Sequence, residues 1–232
     1  MKKYVNPCEV IRFYSYFCTQ NKIMNMMRKF FLAILMALPL MAAAQDNTWE
    51  RIEQDPEEAQ AATSKYLVKD AVPVVDGMVR WSTTISAPGK SAQQIYDILH
   101  KQLEKMIKEP NQIEGSAIIV DDTEKHEMGA VFHEWLVFKS GAFVLDQTKF
   151  NFVIEVKCFE EKAEVSISRI TYDYEVGRKK DHLTAEKWIT DEYAVNKKHT
   201  KLYPISAKFR RKTIDRKDFI FNKFDTLLNE KK

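Results

Sequence analysis

The side chains best suited to chemistry crowd between positions 121 and 134: Asp121, Asp122, Glu124, His126, Glu127, His133 and Glu134. Carboxylates and imidazoles in such a mixture can hold a divalent metal, provided that they converge and have supporting partners. The pattern argues against convergence. The charged run 121–127 before Gly129 reads as a hairpin tip, and strand alternation sends His133 and Glu134 to opposite faces. No paired-histidine zinc motif is present. The expectation is a solvated tip that discourages edge pairing, with no metal site and no catalytic residue.

Two other patterns invite a chemical reading and fail on spacing or setting. Gly89-Lys90-Ser91 falls between a strand and a helix, where a phosphate-binding loop would lie. That loop needs a glycine five positions before Gly89, and Thr84 stands there inside the strand, so a turn with a helix cap is expected and no cofactor site. Cys158 is in phase with Phe150, Phe152, Ile154 and Val156, which makes it a small core residue rather than an activated nucleophile. His133, set in an apolar run, reads as a satisfied sheet histidine.

Charge is the strongest positional signal. Residues 176–232 hold 16 Lys/Arg against 8 Asp/Glu, whereas residues 45–175 carry a net −10. Arg178, Lys179, Lys180, Arg210, Arg211 and Lys212 are the candidates for contact with an anionic surface, such as lipid headgroups or acidic glycans. Against that stands a simpler role, a solvated surface balancing the acidic front half, and this is the favoured reading.

Met26–Gln45 has the layout of a secretory signal: basic Arg28 and Lys29, apolar Phe30–Leu40, and Ala42-Ala43-Ala44 before Gln45. The apolar run is too short for a membrane span of roughly 20 residues. Residues 1–23 fit a signal poorly, and Met24, Met26 and Met27 are the expected start positions. Removal of residues 1–44 leaves 30 basic and 32 acidic residues, so the whole chain's pI of 8.6 is a precursor property and no nucleic-acid partner is expected. Cys158 is then the sole cysteine, and an exported protein of this kind must be held by its core rather than a disulfide. The expected product is periplasmic or secreted, without a transmembrane segment in the mature chain.

The elements that must position these residues follow from periodicity. Residues 45–70 read as an acidic tail, with a short helix over Pro56–Tyr66. Val79, Trp81, Thr83 and Ile85 share one face of a strand. Ser91 with Gln94 forms a capping box, and Ile95, Leu99, Leu103 and Met106 predict a helix over about Ala92–Lys108. Four strands follow: Ala117–Val120, Ala130–Phe138 (apolar on both faces, hence covered on two sides), a strand through Phe150–Cys158, and a return strand from Ala163 to near Tyr174. Their short links require antiparallel pairing. Thr184–Asn196 predicts a short helix broken before Pro204. Asp215 caps a last helix with Ile220, Phe224, Leu227 and Leu228 on its apolar face.

The strings Lys65-Tyr66-Leu67, Ala71-Val72-Pro73-Val74-Val75-Asp76-Gly77-Met78-Val79, Pro88-Gly89-Lys90-Ser91 with Ile95-Tyr96, and Thr213-Ile214-Asp215-Arg216-Lys217-Asp218 carry a resemblance. The chain resembles a family of exported bacterial domains of unknown function with a fold like the TATA-box-binding protein, over about residues 65–175 and loosely beyond. The resemblance implies a fold and export; it brings no catalytic residues. Fold and function together are expected as follows: an α+β, TBP-like domain at 71–175 with about five strands in total, and a basic segment at 176–232 whose helix docks on the sheet. The role expected is a non-enzymatic binding or interaction module of the bacterial cell envelope, with an unidentified partner. One rival is a small-molecule binder with a pocket between sheet and helix, lined by Trp81, Tyr96 and Trp135; the other is an unrecognised hydrolase.

Overall fold

The computed structural model describes residues 65–141, 144–176 and 179–230. The predicted signal, the predicted leader and the predicted tail up to residue 64 lie outside the described residues. The strands are β1 (Val74–Val75), β2 (Met78–Val79), β3 (Trp81–Ser86), β4 (Ala117–Asp122), β5 (Glu127–Gly141), β6 (Val144–Phe159), β7 (Lys162–Val176) and β8 (Lys179–Thr184). The helices are α1 (Ala92–Ile107), α2 (Asp191–Ala194) and α3 (Pro204–Asn229), with a 3-10 turn at Ala185–Lys187.

β1 and β2 form a small ribbon. The other six strands form one antiparallel sheet in the order β3-β7-β6-β5-β4, with β8 pairing the far half of β7 beyond β3. Alternation sets its two faces. Met128, Ala130, Phe132 and Leu136 of β5, Phe150 to Cys158 at every second position of β6, and Ala163, Val165 and Ile167 of β7 are buried beneath α1 and α3. Rings run across this face: Phe132 and Phe152 stack at 5.1 Å, Phe150 and Tyr172 at 5.5 Å, and Tyr172 meets Phe209 of α3 edge-on at 5.1 Å. The predicted capping box opens α1, with Ser91 Oγ accepting from Gln94 N and Gln94 Oε1 accepting from Ser91 N.

Several expectations are corrected. Among the described residues the main sheet has six strands and the β1–β2 ribbon two more, against about five expected in total; the polar, unpatterned β8 extends the hairpin from β7. β5 is central but not covered on two sides: Trp135, on the face away from the helices, is 40% exposed. The segment predicted as one helix over Thr184–Asn196 is a 3-10 turn followed by the single-turn α2. Pro204 begins α3, where a missing N–H costs nothing, so Asp215 lies mid-helix and caps no helix.

Two buried arginines fix α3. Arg216 donates from Nε to Glu134 Oε1 at 2.8 Å and from Nη2 to Glu134 Oε2 at 2.7 Å, with Glu109 at 3.1 Å; neither Arg216 nor Glu134 reaches solvent. Arg210 donates to Tyr66 O, Ile189 O and Asp191 Oδ1, each at 2.7 Å. Removing one partner of such a buried pair typically costs about 3–5 kcal/mol.

Candidate binding surface

Of the residues predicted as chemically capable, Glu124 points into solvent at the β4–β5 turn and the others are engaged separately. Asp121 accepts from the Tyr96 hydroxyl and lies 3.3 Å from His100 Nε2; the Tyr96 hydrogen bond holds its carboxyl below the usual range against a smaller opposing effect of burial, with His100 adding to it. Asp122 pairs with Lys125, Glu127 with Lys157, His126 with Gln93, His133 with Asn151, and Glu134 with Arg216. Among the described residues no three His, Cys, Asp or Glu side chains are placed to hold one metal ion. Cys158 is buried, and burial pushes its thiol up to about 12. At the start of α1, where a phosphate would bind, Glu161 Oε1 accepts from Gly89 N at 2.9 Å and Glu160 Oε1 from Ala92 N at 3.2 Å. The β6–β7 turn thus supplies its own anions to that end of the helix.

The basic candidates scatter as well. Arg178 lies outside the described residues, and Lys179 and Lys180 sit in β8, in register with Val176 and Glu175. Arg210 is corrected: it is wholly buried and bonded to two carbonyls and a carboxylate, so it cannot touch an external surface. Arg211 is exposed and Lys212 half-buried. The pocket expected between sheet and helix is corrected too. Its expected lining residues do not meet, since Trp81 and Tyr96 are buried on the helix face and Trp135 lies on the other; the gap under α3 beside Trp81, Phe150, Phe152 and Ile220 leaves no room for a water either.

What the fold does present is the sheet face left uncovered by the helices. Register places its residues in rows. Val120, Gly129, Glu155, Ser166 and Ser82 form one row across five strands. Val131 and Val153 pair in the next, then His133, Asn151, Thr171 and Thr184, then Trp135, Lys149, Asp173 and His182. Of three register shifts in the sheet among the described residues, two border the trough, and the third, between Val137 and Lys139 of β5, does not. A bulge between Ile118 and Val120 leaves Ile119 unpaired, and Ile119 and Val120, 61% and 48% exposed, both line the trough beside Val131 and Val153. Across from Asn151–Val153, β7 bulges at Arg169, whose φ is +55°. A left-handed arginine inside a strand is strained, and such strain gathers at working surfaces.

These features enclose a trough of about 710 Å³, floored by Gly129, Val131 and Val153, walled by Ile119 and Val120, and rimmed by Arg80 and Arg169. A second depression of about 340 Å³ continues it past Arg80, Glu155 and Lys157 to Ser82 and Ser166. Arg80 Nη1 pairs with Glu155 at 2.9 Å and reaches Ser166 Oγ at 3.3 Å, while Arg169 makes no ion pair with a described residue.

The other half of the face is a polar strip. Asn151 Nδ2 donates to Asp173 Oδ2 at 3.0 Å and Thr171 Oγ1 at 3.1 Å, so its Oδ1 accepts from His133 Nδ1 at 2.6 Å. His182 Nδ1 lies 2.6 Å from Asp173 Oδ1. Partial burial pushes the Asp173 carboxyl up, but the bonds from His182 and Asn151 outweigh it and hold the group below its usual range. Sequence reasoning missed both halves: the alternation at Val131 and Val153 was legible, but neither bulge has a local signal such as glycine.

A sheet with two helices on one face and the other face open is the architecture of the TBP-like α+β class. Residues 81–173 match the family described as a domain of unknown function, DUF4468, with TBP-like fold. A crystal structure of a DUF4468 family protein from Bacteroides ovatus ATCC 8483 is 39% identical, covers 72% of this chain and 95% of its own, and has a TM-score of 0.66. This chain belongs to the DUF4468 family. A TBP-like protein from Parabacteroides distasonis ATCC 8503, 17% identical over 69% of this chain and 99% of its own with a TM-score of 0.57, shares the fold. A comparison with curated proteins finds no match. Among the described residues no helix is long and apolar enough to cross a membrane.

Proposed function

We propose that this chain is an exported, non-enzymatic binding module of the bacterial cell envelope that works through the open face of its sheet. The observation that carries the reading is the trough bounded by Ile119, Val120, Val131 and Val153 with Arg80 and Arg169 at its rim. Apolar side chains left exposed together, with arginines able to donate to carbonyls or carboxylates, are the composition of a contact surface. Both bulges aim side chains at this one place. The chemically capable side chains, by contrast, are mostly taken up by separate partners elsewhere in the fold. A nucleic-acid partner is not part of the reading, because Glu127, Glu155, Glu164 and Asp173 share the face with Arg80, Lys149, Lys157 and Arg169, leaving no stripe of one sign. The signal-like layout of Met26–Gln45 supports export.

The test is a photo-crosslinking residue placed at Ile119 or Val153 in producing cells, with Glu104 on the exposed side of α1 as the control position. A discrete adduct from the trough positions, absent at Glu104 and lost with Arg169→Glu, is expected. Equal or absent adducts at all three positions would overturn the proposal.

A further inference from the structure

Buried Arg210 binds no external anion, but it joins three segments that together present a different surface. Its bonds to Tyr66 O, Ile189 O and Asp191 tie the chain before β1 to the approach to α2. Asp191 Oδ2 also accepts from Asp70 N at 2.8 Å, and His199 Nδ1 lies 3.3 Å from Leu67 O. Tyr203 N donates to Ala194 O at 2.9 Å, and Ser206 Oγ to Tyr193 O at 3.3 Å. Residues 66–70, 191–203 and the first turn of α3 therefore form one cross-linked corner.

That corner leaves apolar side chains in water. Ile205 is 73% exposed, Val68 57%, and Tyr203 and Tyr193 46% and 44%. Single exposed apolar residues are ordinary; here four stand on neighbouring segments that are hydrogen-bonded to one another. Lys69, Lys197, Lys198 and Lys201 stand on the same segments, all exposed and none in an ion pair with a described residue. Two exposed carboxylates, Asp70 and Glu192, share the corner, which leaves it net basic. The lysine loop is a closed turn: Asn196 Oδ1 accepts from Thr200 N at 2.8 Å and Lys201 N at 3.1 Å. The lysines are thus held on a preorganised turn.

We propose that this corner docks on the surface of an anionic lipid bilayer, with Ile205, Val68, Tyr193 and Tyr203 entering the headgroup region and the lysines meeting its phosphates. Tyrosines beside isoleucine and valine suit a boundary that is apolar on one side and wet on the other. Lysines near an anionic surface each add about fivefold in affinity. The inference is independent of the sheet face, since no residue of the corner lines the trough.

The test is co-flotation of the protein as cells make it with vesicles of phosphatidylglycerol and phosphatidylethanolamine, and with phosphatidylcholine vesicles, at about 0.05 and about 0.5 M NaCl. Every variant shares the parent's N-terminus, so differences between them report on the corner. Expected are binding to the anionic vesicles at low salt, at least a tenfold loss with Lys197→Glu/Lys198→Glu/Lys201→Glu, and a severalfold loss with Tyr203→Ser/Ile205→Ser. Lys101→Glu on the exposed side of α1 leaves binding within twofold of the parent. Unchanged thermal melting of the variants confirms that they fold. Parent binding to neutral vesicles as tight as to anionic ones, no parent binding at low salt, or a triple variant that floats like the parent would each overturn the proposal.

Discussion

The two faces of one sheet are built from the same strands and do opposite work. On the helix side every second residue of β6, from Phe150 to Cys158, is buried, and the charges there, Glu134 and Arg216, are sealed against each other. On the open side the intervening residues are Asn151, Val153, Glu155 and Lys157, none fully buried. The pleat imposes the division, but irregularity decides what the open face becomes. Without the bulges at Ile119 and Arg169 it would be an ordinary solvated sheet; with them it holds a trough. The comparison teaches that stability is invested on one side and kept off the other, where side chains can be exchanged without unfolding the domain.

The largest effect expected from breaking this asymmetry lies on the sealed side. Glu134→Ala leaves Arg216 buried without its main counter-charge and is expected to cost about 3–5 kcal/mol in urea unfolding. Glu134→Leu combined with Arg216→Met should recover most of that loss, since the pair would then be replaced by apolar volume. Neighbours within β6 sharpen the contrast: Phe152→Ala is expected to cost about 3–5 kcal/mol and Val153→Ser below about 1 kcal/mol. Equal costs would mean that the open face is packed in solution. Arg210→Ala, which strips donors from two buried carbonyls and from Asp191, is expected to cost about 2–4 kcal/mol, and Arg211→Ala to stay within about 0.5 kcal/mol.

Smaller effects concern titration and reactivity. Asp173 is held below its ordinary 3.8, so it contributes stability above that pH and loses it as pH falls through the depressed native value. Asp173→Asn should therefore lower stability at neutral pH and flatten the acid limb of the curve below about pH 4, measured by denaturation across pH. The Cys158 thiol, buried and pushed up to about 12, should react with a thiol reagent only at the rate at which the protein opens. Rapid labelling of the native protein would contradict its place in the core.

The sheet and α1 were legible because their signals are local: alternation in β3, β5 and β6, and a capping box at Ser91. The family resemblance pointed to the same TBP-like class. β8 was not, since Lys179–Thr184 has no alternation and becomes a strand only because β7 offers an edge. α3 was half legible. Its first turns carry Lys208, Arg210, Arg211 and Lys212, which read as one solvated run, yet Arg210 finds its partner carbonyl 144 positions away and Arg216 its carboxylate 82 positions away. Pairings that distant leave no mark in a window of sequence. The trough was illegible for a related reason: a bulge depends on how two strands are registered, and neither Ile119 nor Arg169 announces it.

The most direct measurement is hydroxyl-radical footprinting of the protein in intact cells against the purified protein. The account predicts that Ile119, Val120 and Trp135 are oxidised readily when the protein is purified and are protected in the cell, while Glu104 and Arg211 on the helix side keep the same reactivity in both. Equal oxidation of the open face in the two settings would contradict the claim that this face is where the protein binds.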